Sequence, residues 1–303
     1  MRVGLALGGG GARGFAHIGV LEVLEAEKIP VDIVSGTSMG SLIGALYAYR
    51  KDPAYVRQRI DEILNDKDVQ DIEENFARAT RMEVDSHGRF GRAVKRIKEL
   101  YLWNMRVLKQ SFVDNKSFER IFCFLLEERN FEECVLPFVA VATDMLKGEV
   151  VYMDSGSLCK AVLASSALPG VFAPRRDGDR ILVDGGVLES VPVEALYGRA
   201  EFIVGISAEP RVLQARVDNS VSIMLSSDEI RYSKLVKDSL LKADFVIEPE
   251  LDDYSWADFS KIDDIIEAGR DEAAVKIKEL RKALNRKKYF PFLGKKPPVI
   301  KQG

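Results

Sequence analysis

The chain has 303 residues, of which 47% are hydrophobic and 30% charged, and its formal net charge is −3. That is enough apolar material for one large α/β domain, or for one domain carrying a long insertion. No run of about 18 apolar residues occurs, which excludes a membrane-spanning helix, and the first seven residues are too short for a signal-peptide core.

Cys123, Cys134 and Cys159 are odd in number and have no metal-ligand spacing. They are expected as buried, reduced thiols, which suits a cytoplasmic setting. Charge is unevenly distributed. Residues 61–74 carry seven acids against one base and residues 89–109 seven bases against one acid. Residues 244–272 carry eleven acids against two bases, and residues 276–303 ten bases against one acid. Such segregation fits either a basic face turned to an anionic surface or solvated helix faces.

In chain order, residues 2–7 read as a short apolar strand that opens into Gly8-Gly9-Gly10-Gly11-Ala12-Arg13-Gly14. Phe15, Ile18, Leu21, Val23 and Leu24 then mark a helix closed by the turn at Ile29-Pro30. Residues 31–34 form a second strand, and residues 41–49 suit a helix packed on a sheet. Strand, glycine loop, helix and strand make a βαβ unit, which implies a parallel sheet with a right-handed crossover. Between the second strand and its helix lies Gly36-Thr37-Ser38-Met39-Gly40. This is the Gly-x-Ser-x-Gly form of a nucleophile elbow, in which the turn is too sharp for side chains at the flanking positions.

Strand signals vanish from about residue 53 to 130, and a helical insertion is expected there. Phe90, Val94, Ile97, Tyr101, Met105, Leu108 and Phe112 share one helical stripe, with Arg92, Lys95, Arg96, Lys98, Arg106 and Lys109 between them. A basic amphipathic helix over residues 90–112 suits a membrane interface or a cap over a site equally well. Strands are expected again at 136–142 and 149–153, then a helix at 157–167. A short strand from 180 ends in Asp184-Gly185-Gly186. Further strands are expected at 202–206 and 245–247, helices at about 220–242 and 261–288, and a basic, aromatic tail beyond. The whole divides into a catalytic domain over 1–250, with the insertion at about 53–130, and a C-terminal helix and tail over 251–303.

A serine nucleophile needs a base and oxyanion donors. His17 reads as a helix residue making a local hydrogen bond, and His87 lies in a polar run of the insertion. If neither histidine is the base, a carboxylate must serve. An ordinary Asp trails His by some 2.6 pKa units, a handicap of about 3.5 kcal/mol that burial can partly remove. Asp184 has the better setting, at a strand end beside two glycines, and Asp144 is the runner-up; either could instead be a cap or turn residue. Gly9-x-Gly11-x-x-Gly14 also fits a dinucleotide loop, but Asp32 stands at the wrong end of the second strand to bind a ribose. A run of backbone N–H groups before a helix suits an anion of any kind, a tetrahedral oxyanion included.

Gly9-Gly10-Gly11-Ala12-Arg13-Gly14, Gly36-Thr37-Ser38-Met39-Gly40, Asp184-Gly185-Gly186 and the block Ala164-Ser165-Ser166-Ala167-Leu168-Pro169-Gly170-Val171-Phe172-Ala173-Pro174 together resemble the patatin-like phospholipase family, in its compact bacterial form. The resemblance covers roughly residues 1–50 and 136–210. It implies a three-layer α/β/α patatin-like fold with a mainly parallel central sheet and the helical insertion. It also implies a Ser-Asp dyad, with Ser38 as nucleophile and Asp184 as general base. Gly9, Gly10 and Gly11 would form the oxyanion hole, with Met39 beside them and Arg13 as the family's basic residue. Gly14, Gly36, Gly40, Gly185 and Gly186 are the motif glycines. The implied substrate is a lipid acyl ester, hydrolysed without cofactor or metal, and no nucleic-acid partner is expected. The alternative expectation is a non-hydrolytic regulatory or adaptor protein using the same pocket.

Overall fold

The computed structural model describes residues 1–64, 115–211, 217 and 220–289. Eight strands among these residues form one sheet: β1 (Val3–Leu7), β2 (Ile33–Thr37), β3 (Phe138–Asp144), β4 (Glu149–Met153), β5 (Arg175–Asp177), β6 (Arg180–Asp184), β7 (Phe202–Ile206) and β8 (Phe245–Ile247). The helices are α1 (Ala16–Ala26), α2 (Met39–Arg50), α3 (Pro53–Leu64), α4 (Asn115–Leu126), α5 (Leu158–Ser165), α6 (Ser220–Leu240) and α7 (Ile262–Tyr289). The strand order is β5-β6-β3-β2-β1-β7-β8, with β4 on the other edge of β3. From β3 to β8 the neighbours are parallel, whereas β4 and β6 run antiparallel to β3.

Helices on both faces make the sheet the middle of three layers. Central strands in such a layer are buried on both sides, so they read as continuous apolar runs rather than alternating ones. Every residue of β1 is buried. Val3, Leu5 and Leu7 join a core with α1, α2 and α7 residues such as Ile18, Leu46 and Ile265. Ala6 faces the opposite way, toward Val191, Leu196, Val236 and Leu240. A fully buried Leu or Ile contributes about 1.5–3 kcal/mol, so these clusters supply the main stabilisation. The C-terminal helix α7 belongs to the first of them through Ile265, Ile266, Ala273, Ile277 and Leu280. Arg270 on α7 also pairs with Glu22 on α1 at 2.6 Å.

The second strand continues through Ser35 and Thr37, past its expected end at residue 34. These polar residues are fully buried because each hydroxyl finds a carbonyl: Ser35 donates to Pro192 at 2.7 Å and Thr37 to Glu189 at 2.9 Å. The short, charged edge strand β5 was not expected. The helical pattern of the insertion is present at its two ends, in α3 and α4. Residues 65–114 lie outside the described residues, and with them the basic stripe of 90–112, His87 and most of the first acidic and basic blocks.

The expectation of three reduced thiols is overturned. Cys123 on α4 and Cys159 on α5 are joined in a disulfide, their Cα atoms 5.3 Å apart, inside the range a bridge requires. Packing of α4 on α5 brings the two together across 36 residues of sequence, which counting cysteines could not reveal. Cys134 alone is free, and burial raises its thiol pKa to about 11. The cysteine argument for a cytoplasmic setting therefore loses its basis. Among the described residues, no helix is long and apolar enough to cross a membrane.

Candidate active site

The register of the sheet brings two strand ends together. On one edge of β3, β2 pairs as far as Thr37 opposite Val141, and β6 takes over with Asp184 opposite Ala142. The two strands approach head to head, so the residues that follow them meet at one point above the sheet.

Ser38 leaves β2 with φ 55° and ψ −126° and caps the N-terminus of α2. For a non-glycine residue this backbone costs about 1–3 kcal/mol and persists only where neighbours impose it. The close approach is visible at the flanking positions. A Cβ on Gly36 would stand 2.3 Å from the Gly40 carbonyl oxygen, and one on Gly40 would stand 2.3 Å from that of Leu7. Only glycine fits at either place. The Ser38 N–H donates to the Ser165 hydroxyl at 3.0 Å, and that hydroxyl donates to the Val141 carbonyl at 2.6 Å. Ser38 itself is only partly buried, within reach of a ligand.

Asp184 is 3% exposed. Its Oδ1 accepts the Gly186 N–H at 2.8 Å, and the Ser38 side chain is its other hydrogen-bonding neighbour. Burial dominates and raises the carboxyl to a pKa of about 6, against the opposing pull of those two donors. Asp144, the other strand-end acid, is turned to local use: its Oδ1 accepts the Leu146 N–H at 3.0 Å in the turn between β3 and β4. His17 is fully buried, with Nε2 2.8 Å from the Gly8 carbonyl oxygen. Desolvation lowers its pKa to about 4, so it is neutral and its Nε2–H donates. The local hydrogen bond expected of it is there.

The glycine loop lies against Ala208 and Trp256. Gly10 has φ +148°, and a Cβ there would stand 2.7 Å from the Ala208 carbonyl oxygen. The N–H of Gly9 donates to the Ser190 carbonyl at 3.1 Å and that of Ala12 to the Trp256 carbonyl at 2.8 Å. Gly9 is therefore already engaged. The N–H groups of Gly10, Gly11 and Met39 donate to no acceptor among the described residues, and Met39 opens α2, where N–H groups lack helical partners and negative charge is favoured. Gly14 lets Met39 pack close, a Cβ there standing 2.5 Å from Met39 Cγ, and Gly185 sits under the Val141 carbonyl at 2.4 Å by the same measure. Arg13 does not stand free: Nη2 pairs with Glu209 at 2.6 Å, and Nε donates to the Gly10 carbonyl at 3.4 Å. Nothing local in the sequence marks Glu209, or Tyr232 beside it. No group of three or more His, Cys, Asp or Glu suited to a metal occurs among the described residues.

Residues 5–197 match the model of the patatin-like phospholipase family. Similar curated proteins include a lysophospholipase of Aspergillus fumigatus, 33% identical over 196 residues, 65% of this chain and 11% of that protein. An NTE family protein of Mycobacterium tuberculosis is 30% identical over 207 residues, 68% of this chain and 49% of that one. Patatin-like phospholipase domain-containing protein 6 of Mus musculus is 31% identical over 195 residues, 63% of this chain and 12% of that one. The chain thus spans about a tenth of the fungal and mouse relatives and about half of the mycobacterial one. Among solved structures, VipD from Legionella pneumophila is 17% identical, with a TM-score of 0.49 over 94% of this chain and 67% of that chain. By its sequence match and its mainly parallel α/β sheet, the chain belongs to the patatin-like phospholipase family.

Proposed function

We propose that the protein is a serine acyl-ester hydrolase acting on lipids, with Ser38 as nucleophile and Asp184 as general base. One observation carries the reading: a serine held on a strained elbow has its side chain against a buried carboxylate at a pKa of about 6. At that value the handicap of Asp against His shrinks to under about 1 kcal/mol. Ser38 attacks the ester carbonyl and passes its proton to Asp184. The tetrahedral oxyanion is received by the N–H groups of Gly10, Gly11 and Met39 at the start of α2. Collapse expels the alcohol, which takes the proton back from Asp184 and leaves an acyl-enzyme on Ser38. Water, deprotonated by Asp184, then attacks the acyl-enzyme; the fatty acid leaves, and Ser38 regains the proton.

Relatives named as lysophospholipases support phospholipid-derived esters as the substrate class. Contact with an anionic lipid surface through the basic residues of 90–112 completes the reading. Charge reversal of Arg92, Lys95 and Arg96 to Glu should abolish pelleting with anionic vesicles; unchanged pelleting would remove that part.

The central test is intact mass after treatment with a fluorophosphonate, which traps an activated serine without presuming a substrate. One adduct on wild type and none on Ser38→Ala is expected. A folded wild type that takes no adduct would overturn the reading in favour of a non-hydrolytic adaptor.

A further inference from the structure

Glu209 and Tyr232 lie beyond the residues matched by the family, on the loop after β7 and on α6. Together with Arg13 and Ser190 they close a circuit around the glycine loop. The Gly9 N–H donates to the Ser190 carbonyl at 3.1 Å, and the Ser190 hydroxyl donates to Tyr232 Oη at 3.0 Å. Tyr232 is in turn a hydrogen-bonding neighbour of the Glu209 carboxylate. Glu209 takes Nη2 of Arg13 at 2.6 Å, and Arg13 Nε returns to the Gly10 carbonyl at 3.4 Å. The phenol stands between the loop and the Ser38-Asp184 turn. A Cβ on Gly9 would be 3.3 Å from Tyr232 Oη and 3.4 Å from Ser38 Cβ; one on Gly186 would be 3.3 Å from Tyr232 Cε2 and 3.1 Å from Asp184 Oδ1.

Two considerations give this circuit a purpose. The Arg13 and Glu209 side chains are only 12% and 13% exposed. Pairs so enclosed add little net stability, because desolvation cancels most of the attraction. Second, a trans peptide points its C=O and N–H in opposite directions. Holding the Gly10 carbonyl from Arg13 therefore fixes the direction of the Gly11 N–H in the same peptide. Holding the Gly9 N–H on Ser190, with the Gly8 carbonyl on His17, fixes the Gly8–Gly9 peptide, so the Gly9–Gly10 peptide that carries the Gly10 N–H lies between two held ones. Loops of glycine otherwise flip such peptides readily.

We propose that Tyr232 and Glu209 are positioning residues that lock the glycine-loop peptides, through Arg13 and Ser190, so that free N–H groups meet the oxyanion formed at Ser38. The inference rests on the serine hydrolase reading above. Neither residue touches substrate.

The test compares Tyr232→Phe, Glu209→Gln and their double variant in the full chain, by hydrolysis of a p-nitrophenyl acyl ester and by fluorophosphonate labelling rate. Both substitutions keep side-chain volume, and Tyr232→Phe decides the matter alone if Glu209→Gln does not fold. The expected result is a fall in kcat of roughly 10- to 100-fold with KM within about twofold, as for loss of oxyanion donors. The double variant should be no worse than the poorer single one, because both break the same circuit. A kcat within about threefold of wild type in Tyr232→Phe, while Ser38→Ala takes no label, would overturn the positioning role and leave the nucleophile standing. A label on Ser38→Ala would instead overturn the nucleophile, and the positioning role with it.

Discussion

Ser165 sits under Ser38 as a two-way hydrogen-bond bridge: its hydroxyl accepts the Ser38 N–H at 3.0 Å and donates to the Val141 carbonyl at 2.6 Å. The positive φ of the elbow is thereby tied to β3, the strand on which β2 and β6 meet. Ser165→Ala leaves that N–H and the Val141 carbonyl short of a partner, at a cost of about 1–3 kcal/mol in stability. Released strain should also let Ser38 drift from its reactive pose, slowing fluorophosphonate labelling by roughly 10- to 100-fold. Equal labelling of the variant and wild type would show that the elbow is held without Ser165.

The pH dependence of kcat/KM follows from Asp184. In its proposed role of general base it works ionised, and burial raises its pKa to about 6. The rate should climb tenfold per pH unit below that value and level off above it. A limb near the ordinary aspartate value would mean that the base is a solvated carboxylate elsewhere.

The same carboxylate weakens the fold at neutral pH. Its folded pKa, about 6, lies above the ordinary 3.8, so between these values the folded chain holds a proton that the unfolded chain has released. Stability from this group is therefore present in acid and is lost as pH rises from about 4 through 6. The full loss is about 3 kcal/mol, the equivalent of that pKa difference. Asp184→Asn should accordingly be inactive yet melt several degrees higher than wild type at pH 8, with the gain fading toward pH 4. Calorimetry at the two pH values checks the sign, and a variant less stable at pH 8 would contradict it.

The Cys123–Cys159 bridge closes a span of 36 residues between α4 and α5. On chain entropy alone, opening such a loop should cost about 3–4 kcal/mol. Non-reducing and reducing intact mass should differ by two hydrogen atoms, and reduction should lower the melting temperature of wild type but not of a Cys123→Ala, Cys159→Ala double variant. An unchanged mass in reductant would show that the bond does not form.

The elements that set the site were legible because their signals are local. An apolar run followed by Gly-x-Ser-x-Gly, and a second run followed by Asp-Gly-Gly, announce two strand ends. The sheet then places those ends side by side through pairing to β3. What escaped depends on distant chain. The sequence could not show that Ser190 would engage the Gly9 N–H, since 181 residues separate them. Ser35 and Thr37 looked like the end of a strand because their polarity hid their burial, which is possible only because carbonyls at 189 and 192 receive their hydroxyls. Glu209 and Tyr232 belong to no spacing pattern; only the fold draws them to Arg13.

His17 supplies a stability term of the opposite pH sign. It is fully buried, its Nε2–H held by the Gly8 carbonyl at 2.8 Å, while Nδ1 has no partner among the described residues. Burial lowers its pKa from 6.5 to about 4, so the unfolded chain binds the proton first as pH falls. Stability from this group is whole above 6.5 and declines by about 3 kcal/mol on the way down to 4. Asp184 and Glu209 gain over much of the same interval, so wild type alone cannot isolate the effect. His17→Gln keeps a side-chain N–H for the Gly8 carbonyl but cannot titrate. The variant should be less stable than wild type at pH 7.5, where the imidazole fits its pocket better, and the gap should narrow or reverse at pH 4.5. Urea midpoints at both pH values give the comparison, and a gap independent of pH would mean that the imidazole is not desolvated in the folded protein.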